Sequence, residues 1–417
     1  IRTEELERAV VAGCSPRTHK RLFQEAIADS GLNPQRLGLV NIREGCAWPH
    51  RGEREAATLR ARDQIAMEVS DIAAQTPRPA TQAGITSAAL VIGSGVTGMT
   101  AAIELADAGI PVTLVECTTT LGGTASSDAS GLIASIQEHP AVSLNLKKHI
   151  TQVDGSVGAY YVDIAPYATH NTDHGSPSTD HRGPFGTIIV ATGNPNEETR
   201  ELAKQLRLPQ DADGFLPEAR VRLRPGDYIE RGIYVCGSAH YPCDAAEAQF
   251  QAYSAASRAL RHLSRGTVTA QGALAQVDPE KCNGCGDCFD VCSFASVTMV
   301  NRSKGISLSV IDPLLCTGCG NCVSVCPVGA ATVAGWTDTQ IEAQMRVALS
   351  PAPSIRPPAL IFACEWSGYA AAELAGAQGL TYPPNIRLIR LDCSGRLQPG
   401  LILKAFELGA AGVLVLG

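Results

Sequence analysis

Cys282-Asn-Gly-Cys285-Gly-Asp-Cys288-Phe-Asp-Val-Cys292 is followed, after a spacer ending in Asp312-Pro313, by Cys316-Thr-Gly-Cys319-Gly-Asn-Cys322-Val-Ser-Val-Cys326-Pro327. These are two copies of one pattern, and they hold eight of the fifteen cysteines. Three thiolates spaced by two residues can wrap one face of an iron-sulfur cube, while the fourth, three residues further on, faces away and reaches the neighbouring cube. The copies therefore share ligands. One [4Fe-4S] cluster takes Cys282, Cys285, Cys288 and Cys326, and the other takes Cys316, Cys319, Cys322 and Cys292. Gly284, Gly286, Gly318 and Gly320 let the backbone fold tightly around the sulfur, because glycine tolerates positive φ. A zinc site would need four ligands per ion, usually as two close pairs, and a chain this long with no secretory signal has no need of disulfide staples. Ser293 follows Cys292 where the second copy has Pro327, a difference in the turn after the ligand.

Outside this stretch the chain reads as a multi-domain globular protein. It has 417 residues, 45% hydrophobic and 18% charged, with a net charge of -7. The acidic balance argues against nucleic acid, which calls for clustered Lys and Arg. No apolar run approaches the roughly 18 to 20 residues of a membrane helix, so any membrane contact comes through a partner. The chain starts at Ile1 and stops at Gly417, directly after an apparent strand, and neither end reads as natural.

Residues 88–92 form an apolar strand, followed by Gly93-Ser-Gly95-Val-Thr-Gly98, a helix over 99–108 and a second strand over 111–115 that ends in Glu116. In this context Gly93 makes the turn, Gly95 lets a pyrophosphate approach and Gly98 lets helix and strand pack. Glu116 is placed to accept from an adenosine ribose hydroxyl. Leu121-Gly122-Gly123, Thr187-Ile-Ile-Val-Ala191-Thr192-Gly193 and Gly232-Ile-Tyr-Val-Cys-Gly237 resemble recurrent segments of the two-dinucleotide-binding flavoprotein fold, which implies FAD. No second Gly-x-Gly-x-x-Gly occurs, so NADH alone is not expected to reduce the flavin. Ser238 stands where that fold usually has an Asp. A helix over 244–263 offers Ala248, Tyr253, Ala256 and Leu260 for packing, and the resemblance aims its N-terminus at the flavin, where the helix dipole would favour a reduced ring. Cys236 reads as core and Cys243 as nearer the flavin. His170, Asp173, His174, Asp180 and His181 read as a solvated loop.

Both ends look like small α/β layers. In the first, strands over 10–13 and 38–42 alternate with helices over 18–30 and 54–74; the first helix offers Leu22, Phe23, Ala26 and Ile27 as one face. Cys14 and Cys46 fall just beyond strand ends, the edge where ligands collect, although a lone cysteine is more often a small buried hydrophobe. In the last segment, after a proline-rich linker over 350–358, strands over 359–363, 386–391 and 412–416 alternate with helices near 369–377 and 400–408. Cys364 and Cys393 follow strand ends there and read as buried thiols.

Ala12-Gly-Cys14-Ser-Pro-Arg-Thr-His19 and Asn41-Ile-Arg-Glu-Gly-Cys46-Ala-Trp48 resemble the N-terminal domain of the A subunit of heterodisulfide reductase, as do the flavin and cysteine segments. Tyr382-Pro-Pro-Asn385, Cys393-Ser-Gly-Arg396 and Ala405-Phe406 resemble the delta subunit of methyl-viologen-reducing hydrogenase. The combination is similar to the B subunit of the quinone-interacting membrane-bound oxidoreductase. The resemblance implies a cytoplasmic FAD and iron-sulfur subunit, membrane-associated only through a partner, that relays electrons among redox subunits of a larger complex, whether heterodisulfide-reductase-like, hydrogenase or quinone-linked. It also makes Cys14 and Cys46 candidate ligands of a further iron-sulfur cluster, completed by residues upstream of Ile1. The resembling delta subunit carries additional cysteines near Cys364, where this chain has Ala363 and Ser367, which argues against a [2Fe-2S] cluster in the last segment.

The expectation is an α/β chain: a small domain over 1–75, a Rossmann-type FAD domain over 87–265, a two-cluster ferredoxin-like module over 273–335, and a second small α/β domain over 358–417. The alternative is a docking scaffold whose clusters are present and whose flavin site, altered at Ser238, is empty.

Overall fold

The computed structural model describes residues 4–78, 81–123, 129–167, 181–218, 232–270, 274–302, 306–350 and 358–417. Contacts divide the chain into one unit of residues 1–80 and 271–417 and a second unit of residues 81–270.

The first segment pairs β1 (Ala9–Gly13) with β2 (Leu37–Asn41) in parallel, Ala9 opposite Leu37 and Gly13 opposite Asn41. Helix α1 (Pro16–Asp29) joins them. It opens on Ser15, whose hydroxyl accepts from the Arg17 N–H at 3.2 Å, with Pro16 at the first position where no N–H is needed. Its expected apolar face is not buried as a whole: Ile27 is, but Leu22 is 63% exposed and Ala26 faces solvent. A two-stranded sheet offers this helix too little surface to cover four apolar positions. Helix α2 (Arg54–Ala74) buries Arg60, Met67 and Ile72.

The second unit is built on β3 (Ala89–Ile92), α3 (Val96–Asp107), β4 (Val112–Glu116), β5 (Val142–Leu146), β6 (Thr187–Val190) and β7 (Ile233–Val235). The five strands form one parallel sheet in the order β7-β6-β3-β4-β5. Parallel strands are covered on both faces, which is why β3 and β6 read as unbroken apolar runs and are buried at every position. Between β5 and β6 runs an antiparallel meander of Lys148–Ser156, Ala159–Pro166 and His181–Phe185. Among the described residues this interval holds no second βαβ unit. Helix α4 (Ala245–Leu263) packs on α3 and shares a core with it through Ala252, Ala255, Ala256, Ala259 and Leu263, while Ala248 is also buried. Small residues let the two helices approach closely. Tyr253, expected among the packing residues, is instead exposed, since it lies about 100° around the helix from Ala252.

The cysteine-rich stretch folds with internal repetition. Each copy carries a single-turn helix, α5 (Asp287–Asp290) and α6 (Asn321–Ser324), entered through a left-handed glycine, Gly286 at φ 90° and Gly320 at φ 82°. Between the copies β8 (Val297–Arg302) and β9 (Ile306–Ile311) form an antiparallel hairpin, and Ala275–Val277 pairs with Ala331–Val333 across the start and end.

Beyond it come α7 (Asp338–Ala348), capped reciprocally by Thr337 and Gln340, then β10 (Ala359–Cys364), α8 (Gly368–Ala377), β11 (Ile386–Leu391), α9 (Pro399–Glu407) and β12 (Gly412–Leu416). The strands are parallel in the order β11-β10-β12. The two small α/β segments, set apart in the sequence, share one core: Met67 of α2 packs with Ile341 and Met345 of α7 and with Phe362, Ile389 and Leu391 of the last sheet. Arg60 fixes the seam. Its Nε donates to the Gly45 carbonyl at 2.8 Å, Nη2 to the Tyr382 hydroxyl at 3.0 Å and Nη1 to the Ile386 carbonyl. Arg387 closes on Asp63 with two donors, at 3.1 and 2.5 Å. At Gly376 a Cβ would fall 1.9 Å from the Glu44 carbonyl oxygen, so the backbones meet there with no room for a side chain.

Candidate redox centres

The dinucleotide cradle is formed where β3 turns into α3. Gly93 has φ 102°, and a Cβ on it would fall 2.3 Å from the Ala191 carbonyl oxygen; one on Gly98 would fall 1.9 Å from the Gly93 carbonyl oxygen. These two glycines close the turn against β6. Gly95, the N-cap of α3, has no atom within 4 Å of its Cβ position, and no side chain caps the helix. An uncapped helix N-terminus with open space at its first glycine is what an anion site there requires. Gly122 lies against this turn, its N–H donating to the Ser94 carbonyl at 3.0 Å, with Gly123 next to Gly95.

Glu116 ends β4 beside it. Its Oε2 accepts from the Ser94 N–H and hydroxyl, each at 2.8 Å, and Oε1 from the Thr118 N–H at 2.9 Å. Burial would raise this carboxyl, but the Thr118 and Ser94 donors outweigh it and hold the group below its usual range. It is an anion, and its Oε1 also accepts from the Cys117 thiol at 3.3 Å, the weakest of its four donors and the one a hydroxyl could replace. Thr192, beyond β6, keeps a buried hydroxyl oxygen without a partner, and Gly193 beside it has open space at φ 79°. Gly237, at φ 69°, packs on Thr97, and its N–H donates to Gln251 at 2.9 Å. An orphaned hydroxyl, an open glycine-lined turn and an uncapped helix end fit a dinucleotide cofactor. Cys236 is wholly buried, and burial with nearby Cys243 pushes its thiol up to about 12, the state of an inert core residue.

In the cysteine stretch one cavity is lined by Cys282, Cys285 and Cys288 of the first copy together with Cys326 of the second. Gly284 is drawn tight against β9, where a Cβ would fall 2.2 Å from the Ser307 carbonyl oxygen. Cys288 donates to the Ser309 hydroxyl at 3.1 Å, and the Ala330 N–H donates to the Cys326 sulfur at 3.2 Å. Both partners lie on elements the cysteine spacing does not mention. In the second copy burial raises the thiols of Cys316, Cys319 and Cys322, the last to about 12. Each is raised further by its neighbours, and Cys292 is among those neighbours for all three. Thiols crowded in this way can be anions together only around a cation, since a coordinating metal deprotonates its thiols outright. The donor set suits an iron-sulfur cluster. The Ala275 N–H already donates to the Cys316 sulfur at 3.4 Å.

The two copies differ in their cover. Cys288 and Cys322 are both buried, but Cys282 is half-buried and Cys285 exposed where their counterparts Cys316 and Cys319 are buried and half-buried, and Gly286 has open space where Gly320 is overlain by Arg396. Arg396 ends a short turn, Ser394–Arg396, and carries no signal in the cysteine pattern.

The remaining candidates are placed as follows. Cys14 follows β1, and Cys46 lies in a wide helical turn, Arg43–Ala47, after β2. Cys46 is 1% exposed and burial raises its thiol, while Arg60 and Arg387 pull against that shift. Cys364 ends β10, its sulfur 3.7 Å from the Asp392 carbonyl. Burial would raise this thiol too, but the N–H groups of Trp366, Ser367 and Ser394 and the Ser367 hydroxyl hold it below its usual value. His170, Asp173, His174 and Asp180 lie outside the described residues, as does most of the 350–358 linker. No described helix is long and apolar enough to cross a membrane.

Three family models match parts of the chain. Residues 88–280 match the family described as FAD dependent oxidoreductase, residues 267–330 the 4Fe-4S dicluster domain, and residues 359–417 the methyl-viologen-reducing hydrogenase, delta subunit. The A subunit of the Ferredoxin:CoB-CoM heterodisulfide reductase of Methanosarcina mazei is 24% identical over 661 aligned positions, covering 100% of this chain and 83% of that protein. The A 2 iron-sulfur subunit of the CoB--CoM heterodisulfide reductase of Methanopyrus kandleri is 35% identical over 177 residues, 39% of this chain and 27% of that one. An alignment longer than the chain itself means that the Methanosarcina protein carries segments with no counterpart here.

Proposed function

We propose that this chain is the FAD and iron-sulfur subunit of a heterodisulfide-reductase-like oxidoreductase complex, passing electrons between a flavin and two [4Fe-4S] clusters. The observation that carries the reading is the cavity lined by Cys282, Cys285, Cys288 and, from the other copy, Cys326. When bound, FAD exchanges electrons in pairs and each cluster takes them singly, so the chain would link a two-electron couple to one-electron carriers. The protein's own residues do the holding. The α3 N-terminus with Gly93, Gly95 and Gly98 would seat the pyrophosphate, Glu116 the ribose, and Gly122, Gly123, Ala191, Thr192, Gly193 and Gly237 would line the rest of the cofactor. Cys316, Cys319, Cys322 and Cys292 would hold the second cluster.

Partners are other redox subunits of a cytoplasmic complex. The last segment's likeness to a hydrogenase delta subunit favours a hydrogenase-linked or quinone-linked donor, as in the B subunit of the quinone-interacting membrane-bound oxidoreductase. Cys14 and Cys46 fit a further cluster only if ligands from outside these 417 residues complete it. The resemblance to the delta subunit argues against a [2Fe-2S] cluster in the last segment, where Ala363 and Ser367 stand in place of cysteines.

The test is the anaerobically purified protein: one FAD by its resolved visible bands and about eight irons per chain, four for each cube. Iron without flavin bands would favour the scaffold reading, to which Ser238 points; no iron would overturn both. Rapid bleaching of the flavin by NADH alone would contradict the single dinucleotide site.

A further inference from the structure

Arg396 is 1% exposed and is held by two of its three nitrogens. Nε donates to the Trp336 carbonyl at 2.7 Å and Nη2 to Asp338 Oδ1 at 2.5 Å. Nη1 is shut away from solvent and has no partner. Leaving a buried charged donor unpaired is costly, so an unused donor in a well-packed place calls for an acceptor. The aliphatic stem of the side chain lies over the second cysteine loop: a Cβ on Gly320 would fall 2.7 Å from Arg396 Cδ, and Gly320 stands between Cys319 and Cys322 in the chain. The turn that carries Arg396 is pressed just as close, a Cβ on Gly395 falling 1.9 Å from Asn321 Oδ1. The equivalent glycine of the first copy, Gly286, has no atom within 4 Å of that position.

We propose that Arg396 tunes the cluster held by Cys292, Cys316, Cys319 and Cys322, its Nη1 donating to a sulfur of that site and its charge stabilising the more negative, reduced state. The proposal rests on the ligand assignment above. Hydrogen bonds and nearby charge are among the levers that set cluster potentials, and here the lever belongs to the last segment of the chain and acts on one cluster only. Asp338 and Asp392, which also lie on that side, act in the opposite sense.

The test is a redox titration of the full chain followed by electron paramagnetic resonance, with the two signals assigned by Cys292→Ala. Arg396→Gln should lower the reduced-to-oxidised ratio of the second cluster about tenfold at a fixed potential, about 59 mV for one electron, and leave the first cluster unmoved. Arg396→Lys, which keeps the charge and loses the fork, should shift it less. Asp338→Asn keeps Arg396 and removes its counter-charge, so it should shift the second cluster the other way. That reversal separates a tuning role from a packing role, and with Arg396→Lys it carries the test if Arg396→Gln loses the cluster. Equal shifts in both clusters, no shift in either, or a downward shift with Asp338→Asn would overturn the proposal. Wild-type protein without iron would instead overturn the ligand assignment beneath it.

Discussion

The two copies of the cysteine pattern are nearly the same sequence in different surroundings. Both enter a one-turn helix through a left-handed glycine, and both place three thiols around a tight loop. The first keeps Cys285 at the surface and leaves Gly286 free; the second lies under Arg396 and the turn around Gly395, with Cys316 buried and Cys319, the counterpart of Cys285, half-buried. Spacing decides what a site can bind, and cover decides which way it faces. An exposed centre suits exchange with another protein, and a covered one suits passage within the chain.

The strongest way to break this comparison is to exchange the ligands that cross between copies. Cys292→Ala should cost about four irons and remove the signal of the cluster held by Cys316, Cys319 and Cys322. Loss of only the cluster held by Cys282, Cys285 and Cys288 would show that each copy keeps its own fourth ligand.

Cover can be probed next by stripping iron. With a chelator under mild oxidation, release should be biphasic, and the fast phase should bleach the cluster at exposed Cys285; a single phase for all the iron would mean that the cover offers no protection. The equivalent glycines give a smaller, purely mechanical contrast. Both Gly286→Ala and Gly320→Ala strain a positive φ at about 1 kcal/mol, but only the second drives a Cβ into Arg396, adding about 1–3 kcal/mol of overpacking. Equal unfolding midpoints would refute the difference in cover.

The last contrast concerns the layer behind the cover. Asp71 of α2 accepts from Gln340 and Gln344 of α7, the helix that Asp338 begins, and burial with nearby Glu68 pushes its carboxyl up to about 7. The folded state therefore prefers the protonated acid. Its penalty is absent below about pH 4, the ordinary range of an Asp carboxyl, grows as pH rises towards 7 and is constant above. Asp71→Asn should add up to about 4 kcal/mol at about pH 8 and nothing at about pH 4, as chemical denaturation at the two pH values would reveal. A gain of equal size at both would remove ionisation as its cause.

Much of this was legible because it is local. Cysteine spacing, the glycine-rich turn after β3 and the strand-helix alternation of both ends are patterns within a few tens of residues, and the strands after residue 358 fall where their apolar runs begin and end. What could not be read were contacts between distant residues. An arginine ordinarily belongs at the surface, yet Arg60 and Arg396 are buried, because carbonyls and a carboxylate hundreds or tens of residues away accept from them. Leu22 and Tyr253 failed for a related reason: an apolar residue on a helix is buried only if a neighbour arrives to cover it.

Arg60 also sets an order of events during synthesis. The carbonyl of Ile386 that it needs lies 326 residues further along the chain. At roughly 5–20 residues per second, the ribosome takes about 15–65 s to deliver it. The flavin unit, continuous over residues 81–270, can close during that wait. The N-terminal segment cannot; it must stand with α2 uncovered while the flavin unit and both cysteine loops emerge. A growing chain thus has its dinucleotide cradle first, its thiols next and its cover last, so iron can be inserted before Arg396 arrives to shut the second site.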